Sequence, residues 1–281
     1  MSVPVDTNTA QSRAVVSEWH CSGRTSVWQE EHQRQALIEL PLTGMDMRRI
    51  RGRQAVVDVG TAVLHGADES FDVASPTAQP RRTTSIELHE ALLDEVASDF
   101  VPGAVRTSAR TALLQQRLRR DIADPMARDE MGLMLVDSVM ADVRTQTDAH
   151  ESGPALSPAW RRLADDLGQC MAAEFKHAQS LEALSRRCGA SPFHASRVYR
   201  RVAGLSLHRQ LNRLRLREAL FRLPEMHGRL TELALDLGFA SHSHFSSAFK
   251  TEFGCVPSSL IEPSALQGND LASKARPTAP R

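Results

Sequence analysis

The sequence predicts an α+β protein, a small β unit with helices packed on it followed by an all-α unit. Three observations carry this reading. Short runs rich in Val, Ile and Leu, punctuated by Gly44, Gly52, Gly60 and Gly66, fill the stretch from about Trp19 to His89. From His89 onward the apolar residues recur three and four apart, which is the period of a helix. Between the halves, "HESGPALSP" (His150 to Pro158) places Gly, two Pro and two Ser in nine residues, the composition of a linker. The expected organisation of the 281 residues is a disordered start at 1–15, a front domain at 16–149, the linker at 150–158, a helical domain at 159–262 and a disordered tail at 263–281.

The strands are expected in "QALIELPLTG", "MDMRRIRG", "RQAVVDVG", "TAVLHG" and "TTSIELH", which together suit a small antiparallel sandwich or barrel. Helices are expected in "HEALLDEVASDF", "AVRTSARTALLQQRLRR" and "DPMARDEMGLMLVDSVMADVRTQT". No stretch approaches the roughly 20 apolar residues of a membrane span. The longest candidate, "MGLMLVDSVM", contains Asp137. With no basic segment and apolar run at the start, a cytoplasmic protein is expected, with no membrane association. Cys21, Cys170, Cys188 and Cys255 form no C-x-x-C pair, so reduced, mostly buried thiols are expected rather than a disulfide framework or zinc knuckle.

Net charge is zero, but it is unevenly distributed. Ser157 to Glu262 holds 15 Lys and Arg against 10 Asp and Glu, leaving 19 against 24 elsewhere. Arg186 to Arg217 contains nine arginines and no acid. A solvated helix face intersperses Glu among its arginines, whereas a run of one sign suits a nucleic-acid partner.

The helical half reads as two copies of one device. In "LEALSRRCGASPFHASRVYRRVAG" a helix carrying Leu181 and Leu184 ends at Gly189, Ser191 is an N-cap and Pro192 the first helical residue. Ala195, Val198, Tyr199 and Val202 form the inward stripe, so Phe193, His194, Ser196, Arg197, Arg200 and Arg201 are candidate DNA-binding residues. "TELALDLG" is then a second capped helix ended by Gly238, and Ser241 caps the next. Phe245, Ala248, Phe249 and Phe253 face inward, leaving His242, Ser243, His244, Ser246, Ser247 and Lys250 outside or at the margin. Of these, His242, Ser243, His244, Ser247 and Lys250 are the candidate DNA contacts, because small polar side chains let a helix backbone approach the duplex. His242 and His244 are two residues apart and diverge by roughly 200° on a helix, so a shared metal is not expected. His244, beside the apolar stripe, suits packing as well as it suits DNA. Between the units, Ser206 to Leu223 runs 18 residues without Gly or Pro and reads as one helix, about 27 Å long, stopped by Pro224.

The motifs "ASPFHASRVYRRVAG", "LNRLRLREAL", "LTELALDLGF" and "SHFSSAFKTEFGCVPSSL", in this order and spacing, resemble the DNA-binding domain of the AraC/XylS family of bacterial transcription regulators. The resemblance covers about 80 residues. It implies two helix-turn-helix units joined by a linker helix, a cupin-like effector-binding and dimerisation domain in front, promoter DNA and RNA polymerase as partners, a homodimer, and no catalytic residues, metal or cofactor. Three positions depart from the family's pattern: Ser185 where Ala is common, Ser241 where an acidic cap is common, and Ser247 where an arginine is common. The last shifts the second unit's contacts onto Ser243, His244 and Lys250. His20, His32, His65 and His89 form no paired-histidine cupin motif and are expected at the surface or in packing. Cys21, Trp19 and Trp28 are expected in core packing rather than around a pocket. The alternative reading is an enzyme, a DNA-repair alkyl acceptor fused to such a helical domain and using a reactive cysteine.

Overall fold

Alternation along "LIELPLT" places Ile38 and Leu40 on one face of a strand and Glu39 on the other, and the same two-faced pattern organises the front half. The computed structural model describes residues 13–21, 27–77, 80–119, 124–151, 156–226 and 228–261. Among the described residues, nine strands form two antiparallel sheets: β1 (Ala14–Cys21), β2 (Gln29–Gln33), β3 (Leu37–Thr43), β4 (Asp46–Ile50), β5 (Arg53–Val57), β6 (Thr61–His65), β7 (Glu69–Ala74), β8 (Arg81–Leu88) and β9 (Gly103–Arg106). One sheet has the order β1-β8-β3-β6-β9 and the other β2-β7-β4-β5.

The outer face of the five-stranded sheet presents Ile38, Leu40, Ala62, Leu64 and Ile86 to α1 (Glu90–Val96), α2 (Ala109–Leu118) and α3 (Pro125–Glu151), with Leu114, Leu135, Val139 and Met140 closing the core. Between the sheets, Val63 meets Ile50, Val57, Phe71 and Val73. This inner space also holds buried charge. Arg48 donates to Glu39 Oε2 at 2.7 Å and to Asp46 Oδ2 at 3.2 Å, Arg81 pairs with Asp46, and His65 Nε2 lies 3.6 Å from Glu39. Burial opposes ionisation of Glu39, but Arg48, His65 and Arg81 outweigh it and hold the carboxyl well below the usual range. The His65 ring also packs on that of Phe71, at 4.2 Å. Trp19 and Trp28 each lie under an arginine, Arg81 and Arg49.

Several boundaries differ from expectation. β1 begins at Ala14, inside the stretch expected to be disordered, because eight residues pair along β8. Residues 1–12 lie outside the described residues, as does the tail from 262. Ala104 to Arg106 is strand rather than helix: Pro102 and Gly103 break the chain, β9 pairs with β6, and α2 starts only after Ser108, which accepts from Thr111 N–H. β2, which has no apolar residue, and β7, which alternates only over Phe71 to Val73, were not expected. α3 runs to Glu151 and α4 (Pro158–Glu174) starts at the last residue of the expected linker, capped by Ser157; 152–155 lie outside the described residues.

The helical half comprises α4, α5 (Leu181–Arg187), α6 (Pro192–Ala203), α7 (Leu207–Arg222), α8 (Leu230–Asp236) and α9 (His242–Phe253). Pro224 ends α7 through a short 3-10 turn, Leu223–Glu225. Every residue from Leu214 to Leu220 is buried, so α7 is no exposed rod. It packs on α4, α6 and α9 and also on α2 and β3 of the front half. Arg217 donates to Thr107 O at 2.9 Å and Ser108 O at 2.7 Å, Arg213 also donates to Thr107 O, and Phe221 lies beside the guanidinium groups of Arg82 and Arg119. Burial, reinforced by the Arg213 charge, lowers the Arg217 pKa to about 9.

Candidate nucleic-acid interface

α6 and α9 are each held by the same local chemistry. Ser180 caps α5, whose first turn carries Glu182, and Gly189 leaves the helix with φ +65°. Ser191 then accepts from His194 N–H at 3.2 Å, Pro192 occupies a first-turn position without an N–H to orphan, and Gly204 ends α6 in the left-handed region. In the second unit Ser241 accepts from His244 N–H at 3.1 Å and Gly254 ends α9 in the same way. α8 differs from its expected form: it starts at Leu230, and its N-cap, Arg229, makes no side-chain cap bond.

Ala195, Val198 and Tyr199 bury one face of α6, and Phe245, Phe249 and Phe253 bury one face of α9. The phenylalanine rings meet in sequence in edge-on or tilted contacts, with Phe239 completing the row at 5.3 Å from Phe245. With those faces anchored, Phe193, His194, Arg197, Arg200 and Arg201 stand exposed on α6, and His242, Ser243, His244, Ser247 and Lys250 on α9. Phe193 is 77% exposed, which a packing role does not explain. Ser196 and Ser246 lie at the margins, half-buried. His242 Nε2 lies 3.3 Å from Ser246 Oγ, and the His244 ring stands edge-on to Phe239 at 5.5 Å, so His244 combines exposure with packing. On α5, Leu184 is buried whereas Leu181 is 42% exposed, so only the former anchors that helix.

The arginine run divides by location. Arg186, Arg187, Arg197, Arg200, Arg201 and Arg209 are exposed, while Arg213, Arg215 and Arg217 turn into the protein. Arg215 bonds three carbonyls, Nε to Phe175 at 2.7 Å, Nη1 to Gly238 at 2.8 Å and Nη2 to His177 at 3.1 Å, and so ties the end of α4 to the turn of the second unit. Gly238 is required there: its φ is +78°, and a Cβ would stand 2.7 Å from Arg215 Nη2 and 2.9 Å from Lys176 O. Burial pulls the Arg215 pKa below the usual arginine value.

Sequence reasoning missed Trp160. On α4, its ring lies 6.4 Å from that of His194 and 6.0 Å from the Arg197 guanidinium, supporting the first turns of α6 from the side. Its position after the cap Ser157 was the available signal. Among the described residues no helix is long and apolar enough to cross a membrane.

A family model described as a helix-turn-helix domain matches residues 184–262. The transcriptional activator RhaS of Escherichia fergusonii is 37% identical over 98 residues, covering 35% of this chain and 34% of RhaS. The transcriptional activator AarP of Providencia stuartii is 32% identical over 92 residues, 33% of this chain and 67% of AarP. AdaA of Bacillus subtilis, named a bifunctional transcriptional activator and DNA repair enzyme, is 25% identical over 93 residues, 33% of this chain and 44% of AdaA. The chain thus spans about a third of RhaS and most of the shorter AarP.

Proposed function

The chain belongs to the AraC/XylS family of transcription regulators, and we propose that it reads two successive major-groove segments of promoter DNA through the exposed faces of α6 and α9. The observation that carries this is the pairing of two equivalently capped helices, each buried on one face and bearing solvent-exposed Arg, His, Ser or Lys on the other. Arg197, Arg200 and Arg201 suit guanine edges and phosphates, and the small residues of α9 suit close backbone approach. Between them α7, about 24 Å long at the standard rise, supports both units as a buried beam.

The front domain is read as an effector-binding and dimerisation domain. Asp46 Oδ1, His65 Nδ1 and Thr83 Oγ1 are buried in the front domain without a hydrogen-bond partner, which marks its interior as polar. The contact of Thr107 and Ser108 with α7 supplies the physical link from that domain to the DNA-binding one. RNA polymerase is the further partner in this reading. Regulation is favoured over the alkyl-acceptor alternative because RhaS and AarP are named as activators, whereas AdaA is named as combining both activities.

Mapping genomic fragments bound by the purified full-length protein near physiological salt tests the proposal. Sites sharing two sequence blocks about one helical turn apart, roughly 34 Å, are expected. Binding that is uniformly salt-sensitive and lacks such blocks refutes it.

A further inference from the structure

Cys170 and Cys188 are 18 positions apart in the chain, yet the fold brings their sulfurs to 3.8 Å, the Cys188 thiol donating to Cys170 Sγ. Cys170 lies on α4. Cys188 closes α5 and is three residues from Ser191, the cap of the first recognition helix. Both are partly exposed and line an open recess of roughly 630 Å³ bordered by Asp166, Gln169, Glu174 and Arg187, so a small oxidant reaches them from solvent.

We propose that Cys170 and Cys188 form a reversible dithiol–disulfide site in which oxidation by a peroxide weakens DNA binding by the first helix-turn-helix unit. The Cys188 thiol donates to Cys170 Sγ, which leaves the Cys170 sulfur as the supported attacking group, and burial with the neighbouring Cys170 pushes the Cys188 thiol up to about 12. Cys170 gives up its proton and its sulfur attacks one peroxide oxygen, the O–O bond breaks, and Cys170 becomes a sulfenic acid while the other oxygen takes up that proton and leaves as water or an alcohol. Cys188 sulfur then attacks Cys170 sulfur, the S–S bond forms, the S–O bond breaks, and the oxygen leaves as water with the Cys188 proton. Two thiols lose two electrons in all, and the peroxide gains them.

The mechanical consequence follows from bond length. A disulfide draws the sulfurs to about 2 Å, a closure of nearly 2 Å that pulls the turn at Cys188, Gly189 and Ala190 toward α4. That turn leads directly into the residues Phe193, His194 and Arg197, whose base contacts tolerate only a few tenths of an ångström. A thiol such as glutathione reverses the step by exchange.

The inference on binding rests on the DNA-reading proposal, and the test separates the two. The full-length protein is treated with stoichiometric hydrogen peroxide, digested without reductant and mapped by mass spectrometry, and its affinity for a bound genomic fragment is measured before treatment, after it, and after dithiothreitol. A peptide pair joined through Cys170 and Cys188, with affinity lower by about tenfold, the size of one lost base contact, and restored by reductant, is the expected result. Cys170→Ser and Cys188→Ser, checked for native melting, then bind DNA equally with and without peroxide. Absence of the joined peptides, or their formation with unchanged affinity, overturns the proposal. A reduced protein that binds no fragment at all refutes the DNA reading instead, and the mass map still decides whether the disulfide forms.

Discussion

Replacing Arg215 with methionine tests whether one buried cation holds the two recognition units in a fixed relation. Its guanidinium donates to Phe175 O, the C-cap carbonyl of α4, to His177 O just beyond, and to Gly238 O between α8 and α9. Methionine keeps most of the aliphatic packing and removes every donor. A hydrogen bond from a charged group contributes about 1.5–3 kcal/mol, and a buried carbonyl left without a donor adds a desolvation cost. The three bonds share one side chain and are not additive, and the freed carbonyls partly rehydrate, so the expected loss is about 3–5 kcal/mol. That is a large fraction of the stability of an ordinary domain, about 5–15 kcal/mol. Arg215→Lys, with a single ammonium and another reach, recovers roughly one bond of about 1.5–3 kcal/mol. The assay is urea unfolding of the full-length protein with Trp160 as the only tryptophan, Trp19 and Trp28 being replaced by Phe, so that fluorescence reports the helical half. A loss below about 1 kcal/mol for Arg215→Met refutes the reasoning, because the carbonyls would then be satisfied by water at no cost.

Three further outcomes are expected. Arg197→Ala lowers specific DNA affinity by about 1–3 kcal/mol and relaxes preference at one base position in a binding selection; an unchanged profile in a folded variant counts against Arg197 as a base contact. Burial and the neighbouring Asp166 raise the Asp165 pKa to about 6, against the lowering effect of Arg106. The native state therefore holds this proton more tightly than the unfolded chain, and the stability it contributes is complete below the ordinary aspartate range and lost as pH rises through about 6. Asp165→Asn accordingly gains thermal stability over the wild type progressively from about pH 4 to pH 6, and a variant no more stable than the wild type at pH 7.5 contradicts the assignment. Gly238→Ala destabilises more than Gly189→Ala: both sites have positive φ, costing about 1–2 kcal/mol for a non-glycine residue, but only at Gly238 does a Cβ meet Lys176 O at 2.9 Å. Equal melting shifts for the two variants would show that the contact relaxes freely.

Elements governed by near neighbours were legible in the sequence. The caps Ser191 and Ser241, the glycine turns and the phenylalanine stripe of α9 each depend on residues within one or two helical turns, so their spacing states their geometry. Polar edge strands were not legible: β2 reads "QEEHQ" and gains strand conformation from pairing with β7, forty residues on. β9 looked helical for the same reason, since its partner β6 lies far upstream.

By itself the sequence determined the two capped helices α6 and α9, the exposure of their candidate residues other than the half-buried Ser196, and the buried stripes that anchor them, because a 3.6-residue period converts position directly into face. Only tertiary structure decided which arginines remain available. Arg197 and Arg200 face outward, whereas Arg215 and Arg217 are consumed by carbonyls of Phe175, Gly238, Thr107 and Ser108, none within twenty residues of them. It also decided that α7 is a beam shared by both halves, and that Cys170 meets Cys188. The physical reason is common to all three: a side chain's hydrogen-bond and packing partners are set by which surfaces the folded chain brings together, and composition and periodicity carry no record of that choice.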